Sequence, residues 1–287
     1  FFRRNDGGCS LLFSIGEDCG GGCGSMGTTM GDTTEKFLEA ALAAVKKAEP
    51  IFVRHFGKAT GVMFKEGKTP SLVTDADKEI ETLFSKEISA RFPGHSIVGE
   101  EFPEQKKSSA YTWYIDPIDG TTNYIHGFAH CAISIGLWDA AGPLISIVSD
   151  PISRACYTAV RGEGAQKNGT KIRVSSRGAL KECLGAIGWR WNEIETGINL
   201  LRSMAPRAYR IRVLSSSVLE LCLVAEGALD FYVGTNCAIW DVAAGLLVLT
   251  EAGGNAGDWK GAPFTARSSA LVASNGKIHK ELLETLS

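Results

Sequence analysis

Between residues 96 and 174 the chain offers one short strand-like run after another. SIVGEE, YTWYID, CAISIGLW, PLISIVSD and ACYTAV are rich in β-branched and aromatic residues, and Gly, Pro and Asp turn signals separate them. KNGTKIRV then reads as a hairpin about Asn168-Gly169. Helical period appears on either side of this block. GDTTEKFLEAALAAV carries Phe37, Leu38, Ala41, Leu42 and Val45 on one face, with Asp32 and Glu35 read as a capping pair. Pro50 is predicted to kink the helix or divide it from the next stretch of chain. A second helix is predicted over residues 78–91, and further helices over 217–226 and 241–251 with a strand near 229–233 between them. Helices and strands mix without steady βα alternation, which points to an α+β layered arrangement rather than a doubly wound parallel sheet.

At 287 residues the chain is long enough for one large domain or two closely packed halves. Its net charge of −2 gives no broad electrostatic reason to bind nucleic acid or an anionic membrane. No apolar run approaches the roughly 20 residues of a membrane-spanning helix, and LLFSI is too short for a secretion signal. The eight cysteines are scattered rather than framed for disulfides, which points to a reducing, cytoplasmic compartment, with an organelle address in the N-terminal tail left open.

Residues 1–31 read as a flexible, Gly- and Cys-rich tail. Gly22, Gly24 and Gly27 match G-x-G-x-x-G there, but no strand precedes them, and Cys19 and Cys23 have no partner pair to complete a metal site. GVMFKEGKT sets Gly61 one residue too far from Gly67-Lys68-Thr69 for a P-loop.

The stretch YIDPIDGTTNYIHG, residues 114–127, places Asp116 and Asp119 three residues apart at the end of a strand. Pro117 cannot donate to a ladder, so the strand is predicted to stop there. Gly120 then opens a bend into a helical start. Without a Cβ it lets a phosphate come close, and free N–H groups at the helix start would face that anion. Alone, the two acids could equally cap a turn. Other acids stand at element ends as well: Glu100 and Glu101 in IVGEE, Asp75 and Asp77 in VTDADKEIE, and Asp241 in AIWDVAAGLLVLTEAGG. Singly these read as a solvated charge pair and as helix N-caps. Together they suit a buried multi-carboxylate site, and oxygen-only ligands select Mg²⁺, Mn²⁺ or Ca²⁺ over zinc. His126 and His130 form H-x₃-H without the Glu of a zinc motif and read as structural.

DPIDGTTNYIHG with WDVAAGLLVLTEAGG closely resembles the two signature motifs of the inositol monophosphatase family, lithium-sensitive Mg²⁺-dependent phosphomonoesterases. LVTDADKEIE, IVGEE and RGEGAQKNGTKIRVS resemble family segments in the same order, so the resemblance covers residues 34–287. It implies a layered αβαβα sandwich of the sugar-phosphatase type, a homodimer, and one compact unit made of a metal-bearing half over 32–175 and a substrate-shaping half over 176–287. Glu100, Asp116 and the carbonyl of Ile118 would hold a first Mg²⁺. Asp116, Asp119 and Asp241 would hold a second, and Glu100 would touch a third through water. Asp77 and Thr121 would stand near the attacking water, with the backbone N–H groups of Gly120 and Thr121 around the phosphate. Lys65 or Lys68, in a loop over 63–71, would screen the metals.

The expected substrate is a small phosphate monoester, inositol 1-phosphate first. Asp119, Asp241, Ser215, Ser216, Ser217 and Gly234 would shape the pocket. Gly234 stands where inositol-specific members often carry a Glu, and the three serines replace a commoner Gly-Ser/Thr-Ala. These departures keep histidinol phosphate, a sugar phosphate, fructose 1,6-bisphosphate or a 3′-phosphonucleotide open as alternatives, as well as a non-catalytic regulatory role. DGTTNYIHG nevertheless fits the inositol side better than the DGTK style of 3′-phosphoadenosine phosphatases.

Overall fold

A computed structural model describes residues 30–58, 60–64, 72–268 and 270–286. The expectations for the tail, including Cys19, Cys23 and the glycine triplet, and for Lys65 and Lys68 lie outside these residues. Five layers stack in the order αβαβα. Helices Met30–His55 and Asp75–Arg91 pack on each other and on one face of a seven-stranded sheet. Its strands keep chain order: Ser96–Gly99, Thr112–Asp119, Ala132–Asp139, Gly142–Asp150, Ala155–Val160, Gly164–Lys167 and Thr170–Lys171. The first two are parallel and the rest antiparallel. Helices Ser217–Ala225 and Ile239–Glu251 form the middle layer. Beyond it lies a five-stranded sheet in the order Arg210–Arg212, Leu184–Gly188, Phe231–Gly234, Leu271–Ser274, Asn255–Gly257, covered by helices Ile194–Met204 and His279–Leu286. Among the described residues no helix is long and apolar enough to cross a membrane.

The first helix buries Phe37, Ala41, Ala44, Val45, Ala48, Ile51 and Phe52 against the sheet. It runs through Pro50 instead of breaking there, because apolar residues on both sides of the exposed proline are held in the same core. It also starts at Met30, which puts Asp32 inside its first turn rather than at a cap. Asp77 is not an N-cap either. Thr74 caps helix Asp75–Arg91, and the Asp77 carboxylate reaches back to the Thr74 N–H at 2.7 Å to complete a capping box. Asp241 likewise sits in the first turn of its helix and accepts from the Ala238 N–H at 3.0 Å.

The strand Thr112–Asp119 continues past Pro117, contrary to the sequence expectation. Its parallel neighbour pairs only as far as Ile115, so the missing proline donor falls where the ladder is one-sided. A register shift between Asp116, opposite Ser134, and Asp119, opposite Ala132, absorbs the extra residue. Small residues let the middle helix lie close on this sheet. A Cβ on Gly136 would stand 3.3 Å from the Ala244 nitrogen, and the Ser146 hydroxyl donates to the Ala244 carbonyl at 2.8 Å. This contact brings Asp241 onto the sheet that carries Asp116 and Asp119.

Trp113 is fully buried among the rings of Phe37, Phe92 and His95, and its indole N–H donates to His95 Nδ1 at 3.1 Å. Trp113→Ala should cost about 3–5 kcal/mol in chemical denaturation, as a large ring leaves a cavity the two helices cannot fill.

Candidate metal and phosphate site

Three segments deliver four acids to one cavity. Glu100 comes directly after strand Ser96–Gly99, Asp116 and Asp119 sit either side of the register shift, and Asp241 lies in the first turn of Ile239–Glu251. Carboxylate oxygens of Glu100, Asp116 and Asp241 lie within 4.8 Å of one another. Ile118, Asp119, Gly120 and Thr121 line the same cavity, as do Ser215 and Ser217. Ser216, Gly234 and Asp77 are not among the residues that line it. The Ser216 hydroxyl donates to Asp119 Oδ2, which also accepts the Val218 N–H at 3.0 Å, so the start of helix Ser217–Ala225 fixes that carboxylate. Asp116 Oδ1 accepts the Ile118 N–H at 3.0 Å.

Burial and mutual repulsion dominate the electrostatics. Loss of water, then the charges of Glu100, Asp119 and Asp241, hold the Asp116 carboxyl well above the usual range. Burial lifts Asp119 to about 8, with its hydrogen bond from Ser216 opposing and the charge of Asp241 adding. Asp241 rises to about 6 through burial and Glu100, tempered by the Arg190 guanidinium 3.2 Å from its Oδ2. Burial raises Asp77 to about 7, against its hydrogen bond from Thr74. Converging, desolvated, oxygen-only donors of like charge are the set that a hard divalent cation fits, because the ion removes the repulsion that the protein alone leaves in place.

The side of the cavity for which the sequence predicts phosphate contact is a backbone bend. Gly120 has φ +83°, left-handed, and a Cβ there would stand 3.0 Å from the His130 carbonyl and 3.2 Å from the Ser215 carbonyl. Only glycine turns the strand into helix Thr121–Ile125 at that spot. Asn123 stitches the bend to the far wall by donating to the carbonyls of His130 and Leu214. The Thr121 hydroxyl donates to the Ile118 carbonyl at 3.1 Å, while Asp77 Oδ2 is taken up by Thr74, so the two side chains paired by resemblance are oriented by separate partners.

Sequence reasoning missed Glu81, Arg190, Glu220 and Tyr232. Glu81 lies on helix Asp75–Arg91 and is buried, and its carboxylate accepts the backbone N–H groups of Glu101 at 2.8 Å and Phe102 at 3.0 Å. It thereby holds the turn on which Glu100 rides. Gly99 makes room for it, since a Cβ there would lie 2.1 Å from a Glu81 oxygen. An acid on the buried face beside Ile80 and Phe84 was the available signal. Arg190 lines the cavity and also donates to the Asn236 carbonyl at 2.7 Å. Nothing in GWRWN marks it, because its partner is fifty-odd residues away.

In the isolated protein, Glu81→Ala should weaken Mn²⁺ binding about 10–100-fold by calorimetry, with Glu81→Gln falling between it and the wild type. The raised carboxyls of Asp241, Asp77 and Asp119 mean that the folded chain binds protons the unfolded chain has released. Metal-free stability should therefore fall as pH rises from about 4 to about 8, and the melting-temperature gain on adding Mg²⁺ should be larger at pH 8 than at pH 5.

Comparison with known proteins places this geometry. The sequence profile of the inositol monophosphatase family matches residues 33–287. The chain is 33% identical to the fructose-1,6-bisphosphatase/inositol-1-monophosphatase of Thermotoga maritima, over 87% of this chain and 95% of that one. It is 35% identical to inositol monophosphatase 1 of Solanum lycopersicum, over 88% and 95% of the two chains. Among solved structures, a Thermotoga maritima IMPase superimposes with a TM-score of 0.81 at 33% identity, covering 88% of this chain and 96% of that one. The suhB protein of Bartonella henselae gives 0.82 at 31%, covering 88% and 98%. The chain belongs to the inositol monophosphatase family and is, as that membership indicates, a phosphoric monoester hydrolase.

Proposed function

We propose that the protein hydrolyses a small phosphate monoester, inositol 1-phosphate before others, with two to three Mg²⁺ ions per subunit. The observation that carries this reading is the convergence of Glu100, Asp116 and Asp241 within 4.8 Å beside the Gly120 bend. Glu100, Asp116 and the Ile118 carbonyl would hold one ion, and Asp116, Asp119 and Asp241 another. Bound there, the cations would activate a water and neutralise charge on the phosphate and on the departing alkoxide. Gly120 and Thr121 present backbone N–H groups to the phosphate oxygens. Asp77, whose Oδ1 is buried with no hydrogen-bond partner among the described residues, takes the proton, and Thr121 orients the water. No covalent phosphoenzyme and no strong general acid is required. The homodimer and a cytoplasmic setting belong to the same reading and rest on family membership and cysteine usage.

A second reading keeps the chemistry and changes the alcohol. It is favoured by Gly234, which offers no side chain to the pocket, and by a relative whose name pairs fructose 1,6-bisphosphate with inositol 1-phosphate. A regulatory role through a partner has the support of a Pseudomonas aeruginosa relative named Nus factor SuhB, 33% identical over 260 residues.

Phosphate release from inositol 1-phosphate, histidinol phosphate, fructose 1,6-bisphosphate and 3′-phosphoadenosine 5′-phosphate, with and without Mg²⁺, tests all three. Asp116→Asn and Asp241→Asn should each lower kcat/KM by more than about a thousandfold without unfolding the chain. Near-wild-type turnover in both variants would sink the metal assignment. A wild type silent on all four esters would bring the regulatory reading forward.

A further inference from the structure

The turn that leads into helix Ser217–Ala225 carries Ser216, whose hydroxyl donates to Asp119 Oδ2. Just before it, Ser215 holds a left-handed backbone, φ +61°, a conformation that strains an L side chain and that a glycine adopts freely. Such a residue keeps its shape only where its surroundings enforce it.

Leu214 shows where the restraint comes from, because side chains take both of its backbone polar groups. Its carbonyl accepts from Asn123 Nδ2 at 2.6 Å, and its N–H donates to Glu220 Oε1 at 3.3 Å. Glu220 stands in the first turn of helix Ser217–Ala225, is fully buried, and reaches back over the helix start to a residue outside it. A carboxyl withdrawn from water holds such a partner firmly, since leaving it unpaired is costly. The same turn lies against the Gly120 bend. The Ser215 carbonyl oxygen and Ser216 Cβ each stand 3.2 Å from where a Cβ on Gly120 would be.

Glu220 Oε2 is buried with no hydrogen-bond partner among the described residues, and the residue lines the cavity. Direct contact with a ligand is therefore the rival role for this carboxyl. The bond that Oε1 makes goes to the backbone of the strained turn, and that favours the indirect one.

We propose that Glu220 is a positioning residue for the acidic site: by holding the Leu214 N–H it keeps Ser215 left-handed, and so keeps the Ser216 hydroxyl on Asp119. The inference rests on the metal assignment above. It couples Ser215 to Glu220, because a glycine in place of Ser215 would take the left-handed shape unaided and make the carboxyl dispensable.

The test is the Mn²⁺ dissociation constant of the isolated protein by calorimetry, with Glu220→Met made in two backgrounds, wild type and Ser215→Gly. Methionine keeps the length of the side chain and removes both oxygens. Glu220→Met should weaken Mn²⁺ binding about tenfold in the wild type and less than about twofold where Ser215→Gly is present. Effects of charge are common to the two backgrounds and cancel in the comparison. Glu220→Gln, which keeps an acceptor for Leu214, should stay within about threefold of the wild type. A Glu220→Met chain that folds only together with Ser215→Gly also supports the coupling. An equal loss in both backgrounds assigns Glu220 to direct contact and overturns the positioning role. Unchanged Mn²⁺ affinity in Glu220→Met, or failure to fold in both backgrounds, overturns it too. A wild type that binds no Mn²⁺ overturns the metal assignment itself, and this inference with it.

Discussion

Glu100, Asp116, Asp119 and Asp241 repel one another in one cavity, Asp116 and Asp119 buried and the other two partly exposed, and the rest of the architecture is arranged around holding them there. Carboxylates this close would separate on a pliable chain. They stay together because they hang from three rigid elements: the end of a parallel strand, both sides of a register shift in its neighbour, and the first turn of a buried helix. Backbone N–H groups and the Ser216 hydroxyl fix the oxygens that face the protein, and Arg190 offsets part of the charge on Asp241. The remaining repulsion is what a divalent cation relieves, so metal affinity and intrinsic strain are two aspects of one arrangement.

Supporting this set are two more buried acids whose carboxylates accept backbone N–H groups. Glu81 and Asp77 project from successive turns of one helix, one gripping the turn after Glu100 and the other closing the capping box at Thr74. Their raised carboxyls record the same shortage of water. The approach of helix Ile239–Glu251 to the sheet depends on equally small features, the bare face at Gly136 and the hydroxyl of Ser146. A larger residue at Gly136 would move Asp241 away from Asp116 before touching any carboxylate.

The cavity's other wall obeys a different logic. It comes from the second sheet and the serine turn that precedes helix Ser217–Ala225, and it holds two non-glycine residues in the left-handed region, Ser215 at φ +61° and Asn236 at φ +48°. Such conformations persist where neighbouring packing enforces them, and they cluster where a surface must be shaped for a ligand. The acidic half of the cavity is built from like charge, and this half from shape, hydroxyls, the Arg190 guanidinium and the Glu220 carboxyl.

Local sequence determined a good deal. The strand runs from Ser96 to Lys171, the amphipathic helices and the acids at element ends were legible, because side-chain period, turn chemistry and carboxylate spacing are properties of short segments. What escaped depended on distant partners. Pro50 is read from sequence as a kink or a division and Pro117 as a strand end, yet a shared core and a one-sided ladder carry the chain through both. The short strands Leu184–Gly188 and Leu271–Ser274 have few local signals and exist as strands because their neighbours lie alongside. Glu81, Arg190 and Tyr232 gain their roles from groups about 15 to 51 positions away. Gly234 shows the division most plainly. By itself it signals a missing side chain, and only the tertiary structure reveals that its bareness, matched by Gly188, seats the phenol of Tyr232 at the cavity wall.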